Sequence, residues 1–332
     1  MMAFEENEIS IKSVGGTELV KRGLAERIKD EIDLDQFQVI CSRVREIDES
    51  KIRVLWLHDL PEDPESKKLK DPSFREQFHK IVFCSQWQYQ RYQQVLGIPY
   101  DERCVVIENG IEPITPTEKS KDKIKLVYSS TPQRGLAILV PVFEELAKRY
   151  DNIELNVFSS YKIYGWDEAD QRFESLFDKC REHPNIVYHG FKPNSEVRAC
   201  LQESHIHSYP SIWQETSCLS VIEAMSAGLL CVHPNFAALT DTSGGLNFVY
   251  QGNSDLNKHA KQFYQALSHA IEVVNTPEVQ TYIKLVKTYA DSRFHWTKIK
   301  SQWVDLLKGL ELQYKDVDSR KIPKQQFVYR VE

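Results

Sequence analysis

Short runs of β-branched and aromatic residues alternate with longer amphipathic stretches along the chain. The runs Phe37–Cys41, Ile52–Leu57, Ile81–Cys84, Val105–Ile107, Lys125–Tyr128, Glu154–Phe158, Ile186–His189, Ile206–Tyr209 and Leu229–Val232 are too short for helices and are bounded by turn residues, so they predict strands. Between them, apolar positions recur at helical spacing over Glu18–Ile32, Pro72–Lys80, Trp87–Leu96, Leu136–Arg149, Glu168–Glu182, Glu196–Glu203, Leu219–Ala227 and Asn257–Val274. Strands that alternate with helices predict parallel sheets covered on both faces.

One boundary is visible in this pattern. Asn109-Gly110 closes the first set of units, the polar, proline-bearing stretch Pro113 to Lys121 follows, and a new strand opens at Lys125. The expected division is an N-terminal Rossmann-like domain over 1–118, a second over 119–295, and a C-terminal helix with a polar tail over 296–332. Such doubly wound sheets bind ligands beyond the carboxyl ends of their strands. The first domain is expected to be small, because only Ile9-Ser10-Ile11-Lys12 precedes its Gly15-Gly16 turn. The tail from Gln313 onward is polar and aperiodic.

Composition narrows the class. The 332 residues are 41% hydrophobic and 27% charged, enough apolar material for two cores. A net charge of -6 offers no general attraction to nucleic acid. The seven cysteines include no pair at C-x-x-C spacing, several sit in apolar runs, and their odd count suits a reducing compartment. No apolar run reaches membrane-span length, and the acidic, polar Met1 to Ile11 does not read as a signal peptide. A cytoplasmic protein is expected, with at most weak peripheral membrane contact through Lys21, Arg22, Arg27 and Lys29 on one amphipathic helix.

The densest chemical signal runs from Tyr209 to Gly228. A strand ends near Tyr209, a turn follows, and a helix starts near Ser217 or Cys218. The amide groups and dipole of a first helical turn suit a diphosphate. Glu215 precedes that helix and Glu223 lies within it, at most roughly 12 Å apart along the helix rise. Carboxylates at that separation suit the hydroxyl groups at the two ends of an elongated ligand.

This stretch resembles the signature of the retaining glycosyltransferases of family 4, which have the GT-B fold: a Glu, seven residues, then Glu-Ala-Met and a glycine shortly after. The resemblance implies an α/β GT-B architecture, two Rossmann-like domains facing a cleft. It implies that Glu215 contacts the donor hexose, that Glu223 binds the ribose hydroxyls, and that the backbone of Thr216, Ser217, Cys218 and Leu219 lines the diphosphate. Gly15-Gly16-Thr17, before a helix, matches the family's first glycine loop facing the same diphosphate. In Ser129-Ser130-Thr131-Pro132-Gln133-Arg134-Gly135, Arg134 matches the cation that neutralises the donor phosphates, with Ser130 in support where many members have a Gly-Arg dipeptide. His58, after an apolar strand, matches a histidine near the reacting sugar, and Asp59 beside it would orient it or hold the acceptor.

Looser similarity covers Phe83-Cys84-Ser85, Val106 to Ile111, Val187 to Phe191, Asn235 to Gly245 with Asp241 where a Glu is common, and Phe294-His295-Trp296. It extends from about Val14 to Leu310 and is more specific in the second half.

The expected activity is a hexosyltransferase that moves a hexose from a nucleoside diphosphate sugar to a carbohydrate, lipid-linked or small-molecule acceptor, without a cofactor. No Asp-x-Asp element is placed to hold a metal on the donor. His205-Ile206-His207 puts two imidazoles on one strand face with no third ligand evident, so core packing is expected there. The competing readings are a GT-B sugar-nucleotide epimerase or phosphorylase, and a non-catalytic nucleotide-sugar-binding protein.

Overall fold

Four strands, β1 (Phe37–Cys41), β2 (Ile52–Leu57), β3 (Lys80–Phe83) and β4 (Cys104–Val106), pair in parallel in the order β1-β2-β3-β4. A second set, β5 (Ile124–Ser129), β6 (Ile153–Phe158), β7 (Ile186–Tyr188), β8 (Ile206–Ser208), β9 (Leu230–Pro234) and β10 (Phe248–Tyr250), pairs in parallel in the order β10-β9-β8-β5-β6-β7. The computed structural model describes residues 13–316. The Ile9–Lys12 strand, the Met1–Ile11 terminus and the tail beyond 316 lie outside them.

The helices are α1 (Gly16–Ile28), α2 (Pro72–Arg75), α3 (Gln86–Leu96), α4 (Leu136–Ala147), α5 (Glu174–Glu182), α6 (Asn194–Glu203), α7 (Leu219–Ser226), α8 (Leu239–Ser243), α9 (Leu256–Val273), α10 (Pro277–Phe294) and α11 (Trp296–Gln313). Packing divides the described residues into two compact units. One holds Lys21–Glu108 with 299–316, the other 13–20 with Asn109–Lys298.

The strands are mostly apolar, with Gln38, Arg53 and His233 as buried polar exceptions. Every residue of β1, β2 and β9 is buried, as expected of parallel strands covered on both faces. Helices are stopped and started by local chemistry. The Ser85 side chain accepts from the Gln88 amide to cap α3, and Gly97, at φ 65°, ends it in the left-handed region. Asp255 caps α9, whose buried face carries His259, Phe263, Leu267, Ala270 and Ile271.

The winding of the second sheet places its site. From β5 the chain steps outward through β6 to β7. It then returns to β8, on the other side of β5, and continues to β9 and β10. The reversal lies between β5 and β8, and the loops after these two strands diverge there. In the first unit the described strands wind one way only.

The structure corrects several elements. The helix expected over Pro72–Lys80 is a single turn, because His79 already donates its amide to the Arg53 carbonyl and Lys80 pairs with Val54 in the sheet. The helix expected over Glu168–Glu182 is divided. The buried Asp170 carboxylate accepts from the Ser160 hydroxyl and the Tyr161 amide, which holds 167–173 in a tighter 3-10 coil before α5. The strand β10 and the helix α10 lack counterparts in the sequence reading, although Thr276-Pro277 is a helix-start signal and the Thr276 hydroxyl accepts from the Val279 amide.

The seven cysteines form no disulfide, and Cys41, Cys84, Cys180, Cys218 and Cys231 are buried as small hydrophobes. The proline-bearing stretch packs with the second unit. Ile111 and Ile114 join its core, and the Ile114 amide donates to the Ser226 hydroxyl. Among the described residues, no helix is long and apolar enough to cross a membrane.

Candidate functional site

Arg134 ends the loop after β5, and Glu215 lies in the turn after β8, so the switch point brings together side chains 81 positions apart. Gly135 makes the approach possible. Its φ is 132°, and a Cβ there would stand 2.3 Å from the Pro210 carbonyl oxygen. Tyr128 holds the same loop from below, donating its hydroxyl to the Thr131 carbonyl at 2.8 Å.

A single Arg134 nitrogen, Nη1, lies 2.8 Å from Glu215 Oε1 and 2.9 Å from Oε2. The Tyr209 hydroxyl also donates to Oε1. Nη2 reaches the Tyr164 hydroxyl at 3.4 Å, and the guanidinium carbon stands 5.8 Å from the centre of the Trp213 ring. Burial by itself would make Arg134 easier to deprotonate, but the Glu215 carboxylate more than reverses this and holds the guanidinium firmly charged. Burial, reinforced by Glu215, pushes the Tyr209 phenol far up, so it stays a donor. Arg134 Nε, Gln133 Oε1 and Thr131 Oγ1 are buried without a hydrogen-bond partner among the described residues. Polar atoms in that condition are uncommon and gather where ligands bind. Ser130 stands at the edge of the group, its hydroxyl 3.4 Å from that of Tyr209.

The Ser211 hydroxyl tightens the turn before Glu215 by accepting from the Trp213 amide, and the Glu215 carbonyl accepts from the Ala238 amide at 3.1 Å. That second bond ties in the loop containing Ala237, whose φ of 51° is unusual for a residue with a side chain. Thr216, Ser217 and Cys218 follow, and α7 begins at Leu219 with no side-chain cap from Cys218. The glycine loop packs against this region. A Cβ on Gly15 would meet Tyr164 at 2.8 Å, and one on Gly16 would meet Leu219 at 3.2 Å. Thr17 stands in the first turn of α1.

Glu223 lies about one turn along α7 in different surroundings. Arg198 Nη1 donates to its Oε1 at 2.6 Å and Asn194 to its Oε2 at 3.1 Å, while Arg198 Nη2 donates to the Glu112 carbonyl. Burial raises the Glu223 carboxyl above its ordinary pKa, even against the pull of Arg198. Asp241 is held by Arg293 at 3.0 Å.

The imidazoles of His205 and His207 pack into the sheet. His205 accepts from the Lys125 amide and its other nitrogen lies 3.0 Å from the Ser120 carbonyl, while His207 lies 2.9 Å from the Ser220 hydroxyl. Burial lowers their pKa values to about 4 and about 3.

His58 and Asp59 belong to the first unit, at the carboxyl end of β2. Both amides donate to the Ser42 hydroxyl, and Ser42 itself has a φ of 63°. Burial, with Lys21 adding to it, drives the His58 pKa down to about 3, so the ring is neutral at physiological pH. Burial raises Asp59 despite Arg43 at 3.8 Å.

Sequence reasoning missed Tyr209, Asn194 and Arg198 as partners of the two glutamates, and Tyr164 as a partner of Arg134. Tyr209 was visible as the last residue of a strand leading into the signature. Arg198 sits on an ordinary amphipathic helix and becomes a partner only through the packing of α6 beside α7.

Residues 112–269 match the family model described as glycosyl transferases group 1. The putative colanic acid biosynthesis glycosyltransferase WcaL of Escherichia coli is 23% identical over 206 residues, covering 60% of this chain and 46% of that protein. An uncharacterized 41.2 kDa protein of the Klebsiella pneumoniae cps region is 25% identical over 232 residues, covering 63% and 59%. The chain thus spans about half the length of these relatives. Among solved structures, a glycosyltransferase from Rickettsia africae superposes with a TM-score of 0.65 at 16% identity, over 90% of this chain and 83% of that one. HepE of Anabaena, in complex with UDP and glucose, gives 0.62 at 15%, over 88% and 80%. The chain therefore has the GT-B fold, and its residues 112–269 are similar to the glycosyl transferases group 1.

Proposed function

We propose that the protein is a retaining, metal-independent hexosyltransferase that uses a nucleoside diphosphate sugar. The observation that carries this reading is the buried Arg134–Glu215–Tyr209 group at the switch point, with the start of α7 and the glycine loop packed beside it. HepE, a structural neighbour, binds UDP and glucose, and that supports a uridine diphosphate sugar as the first donor to test.

In this reading the donor diphosphate lies along Gly15, Gly16, Thr17 and the backbone from Thr216 to Leu219, with Arg134 and Ser130 on its oxygens. Arg134 Nε and Nη2, not committed to Glu215, face the developing phosphate charge. Glu215 accepts hydroxyls of the hexose. Glu223 holds the ribose diol. The acceptor hydroxyl attacks the anomeric carbon from the face that the diphosphate leaves. The bond from carbon to phosphate oxygen breaks as the bond to the acceptor oxygen forms, and the acceptor proton passes to the departing phosphate. Neutral His58 would hydrogen-bond the hexose or the acceptor hydroxyl, with Asp59 on the acceptor side. A carbohydrate or lipid-linked acceptor and a cytoplasmic setting belong to the same proposal.

A thermal-shift panel of UDP-, GDP- and ADP-sugars identifies the donor. Product analysis with EDTA present, with and without acceptor, then tests the reaction. The expected result is a new glycoside with the donor's anomeric configuration. An epimerised donor overturns the transferase reading. Donor binding with no turnover across an acceptor panel favours the non-catalytic reading.

A further inference from the structure

A cavity of about 500 Å³ opens at the amino ends of β5, β8 and β9, the opposite end of the sheet from Arg134 and Glu215. Its wall carries Lys119, Lys121, Lys284, Lys287 and His205, and no carboxylate. That concentration of cations stands out in a chain of net charge -6.

The cations divide by task. Lys287 donates to the Ile114 carbonyl at 2.7 Å, the Ser226 carbonyl at 2.5 Å and Asp291 at 2.8 Å. Lys119 donates to the Gly228 carbonyl. These two offset the negative end of α7, whose last carbonyls point this way. Lys121 and Lys284 are exposed and their ammonium groups have neither hydrogen bond nor ion pair among the described residues, so their charge is surplus to the fold. Asn275 and Gln280 bring the start of the 18-residue α10, a positive helix end, to the same rim. His205, neutral, holds the Ser120 carbonyl.

The wall is pre-formed. The Thr117 amide donates to the Gln202 carbonyl, the Gln202 side chain donates to the Thr115 carbonyl, and Lys119 is enclosed enough that burial lowers its pKa to about 8. Clustered lysines that repel one another favour an anion carrying more than one charge, and a phosphate group carries about -1.5 to -2 at neutral pH. Lysine ammonium groups bind phosphate as point charges and demand no fixed fork geometry. The volume lies within the ordinary range for small-ligand sites.

We propose that this cavity is a second anion site, separate from the donor site, that takes the phosphate group of a phosphomonoester or diphosphate ligand through Lys121 and Lys284. The group could come from a soluble metabolite or from a lipid head.

The test is calorimetric titration of sodium pyrophosphate into the full chain, the Lys121→Glu/Lys284→Glu variant and the Arg134→Gln variant. It is paired with flotation on vesicles of phosphatidylcholine with or without phosphatidic acid. Pyrophosphate binding that the double lysine variant weakens about tenfold or more, and that Arg134→Gln retains, supports a soluble ligand. Flotation that requires phosphatidic acid and is lost in the lysine variant supports a lipid head. UDP-glucose affinity of the lysine variant should match wild type, which keeps this outcome separate from the fate of the donor-site reading. Should the charge reversal unfold the protein, Lys121→Gln/Lys284→Gln should show a smaller loss in the same direction. Pyrophosphate binding lost only in Arg134→Gln, binding equal in all three proteins, or neither pyrophosphate nor vesicle binding by wild type overturns the proposal.

Discussion

One arginine–glutamate pair stands just before a short helix and another midway along it, and they are built differently. At the start of α7, Arg134 spans both oxygens of Glu215 with one nitrogen, Tyr209 adds a second donor, and Arg134 Nε is left buried and unpaired. Midway along α7, Arg198 divides its guanidinium between Glu223 and the main chain at Glu112, and Asn194 completes the carboxylate. The first pair keeps donor capacity in reserve. The second ties α6, α7 and the stretch after Asn109 together. Like residues at a motif's two glutamates therefore do not imply like surroundings: one pair leaves a buried donor open, while the other closes its hydrogen bonds across three segments of the fold.

The largest effect should come from Arg134→Ala. It leaves Glu215 buried without its cation, which typically costs about 3–5 kcal/mol of stability, and it removes the proposed phosphate contact. Both urea denaturation and turnover should register it. A variant with wild-type stability would erase the distinction drawn for the first pair.

Glu215→Gln keeps the shape but loses the strong acceptor. Turnover should drop about 100-fold or more, with UDP affinity nearly unchanged. An equal loss of UDP affinity would move Glu215 from the sugar to the nucleotide.

Gly135→Ala tests the backbone contact that joins the two loops. A Cβ there collides with the Pro210 carbonyl and must hold φ 132°, so a destabilisation on the order of 2 kcal/mol is expected in urea melts.

For the second pair, Glu223→Ala should weaken UDP binding about tenfold and also lower the melting temperature, because Arg198 and Asn194 lose their partner. Glu223→Gln should restore most of the stability. The raised pKa means that burial penalises the carboxylate at neutral pH, and a neutral isostere escapes that penalty. A Gln variant as unstable as the Ala variant would show that Arg198 needs the charge.

The smallest effect concerns His207, whose Ser220 contact anchors α7 between the pairs, with the Ser129 hydroxyl 2.7 Å beyond. Its pKa falls from the ordinary 6.5 to about 3 on folding, so the unfolded chain takes the proton first. This contribution is fully present above pH 6.5 and is lost as the pH falls toward 3, by about 1.4 kcal/mol per pH unit. Melting curves at pH 7 and 5.5 should show the loss, with a shallower slope in His207→Asn.

Much of the site was legible because its chemistry lies in contiguous segments. Glu215 and Glu223 are eight residues apart on one turn and helix, and Arg134 follows directly on a strand. Short apolar runs marked nine of the ten described strands. The three-residue β10 carries too little pattern to distinguish it from a loop, and the helical reading of Pro72–Lys80 yielded to a register that claims His79 and Lys80 for the sheet.

What the sequence determined by itself is the alternation of strand and helix, the buried strands, and the pairing of a signature turn with a helix start, because each depends on residues near one another in the chain. Only the tertiary structure decided that Arg134 meets Glu215, that Arg198 meets Glu223, and that lysines from the interdomain stretch and from α10 line one cavity. Those encounters depend on strand order, which brings together groups 81, 25 and more than 150 positions apart, and no local pattern encodes that order.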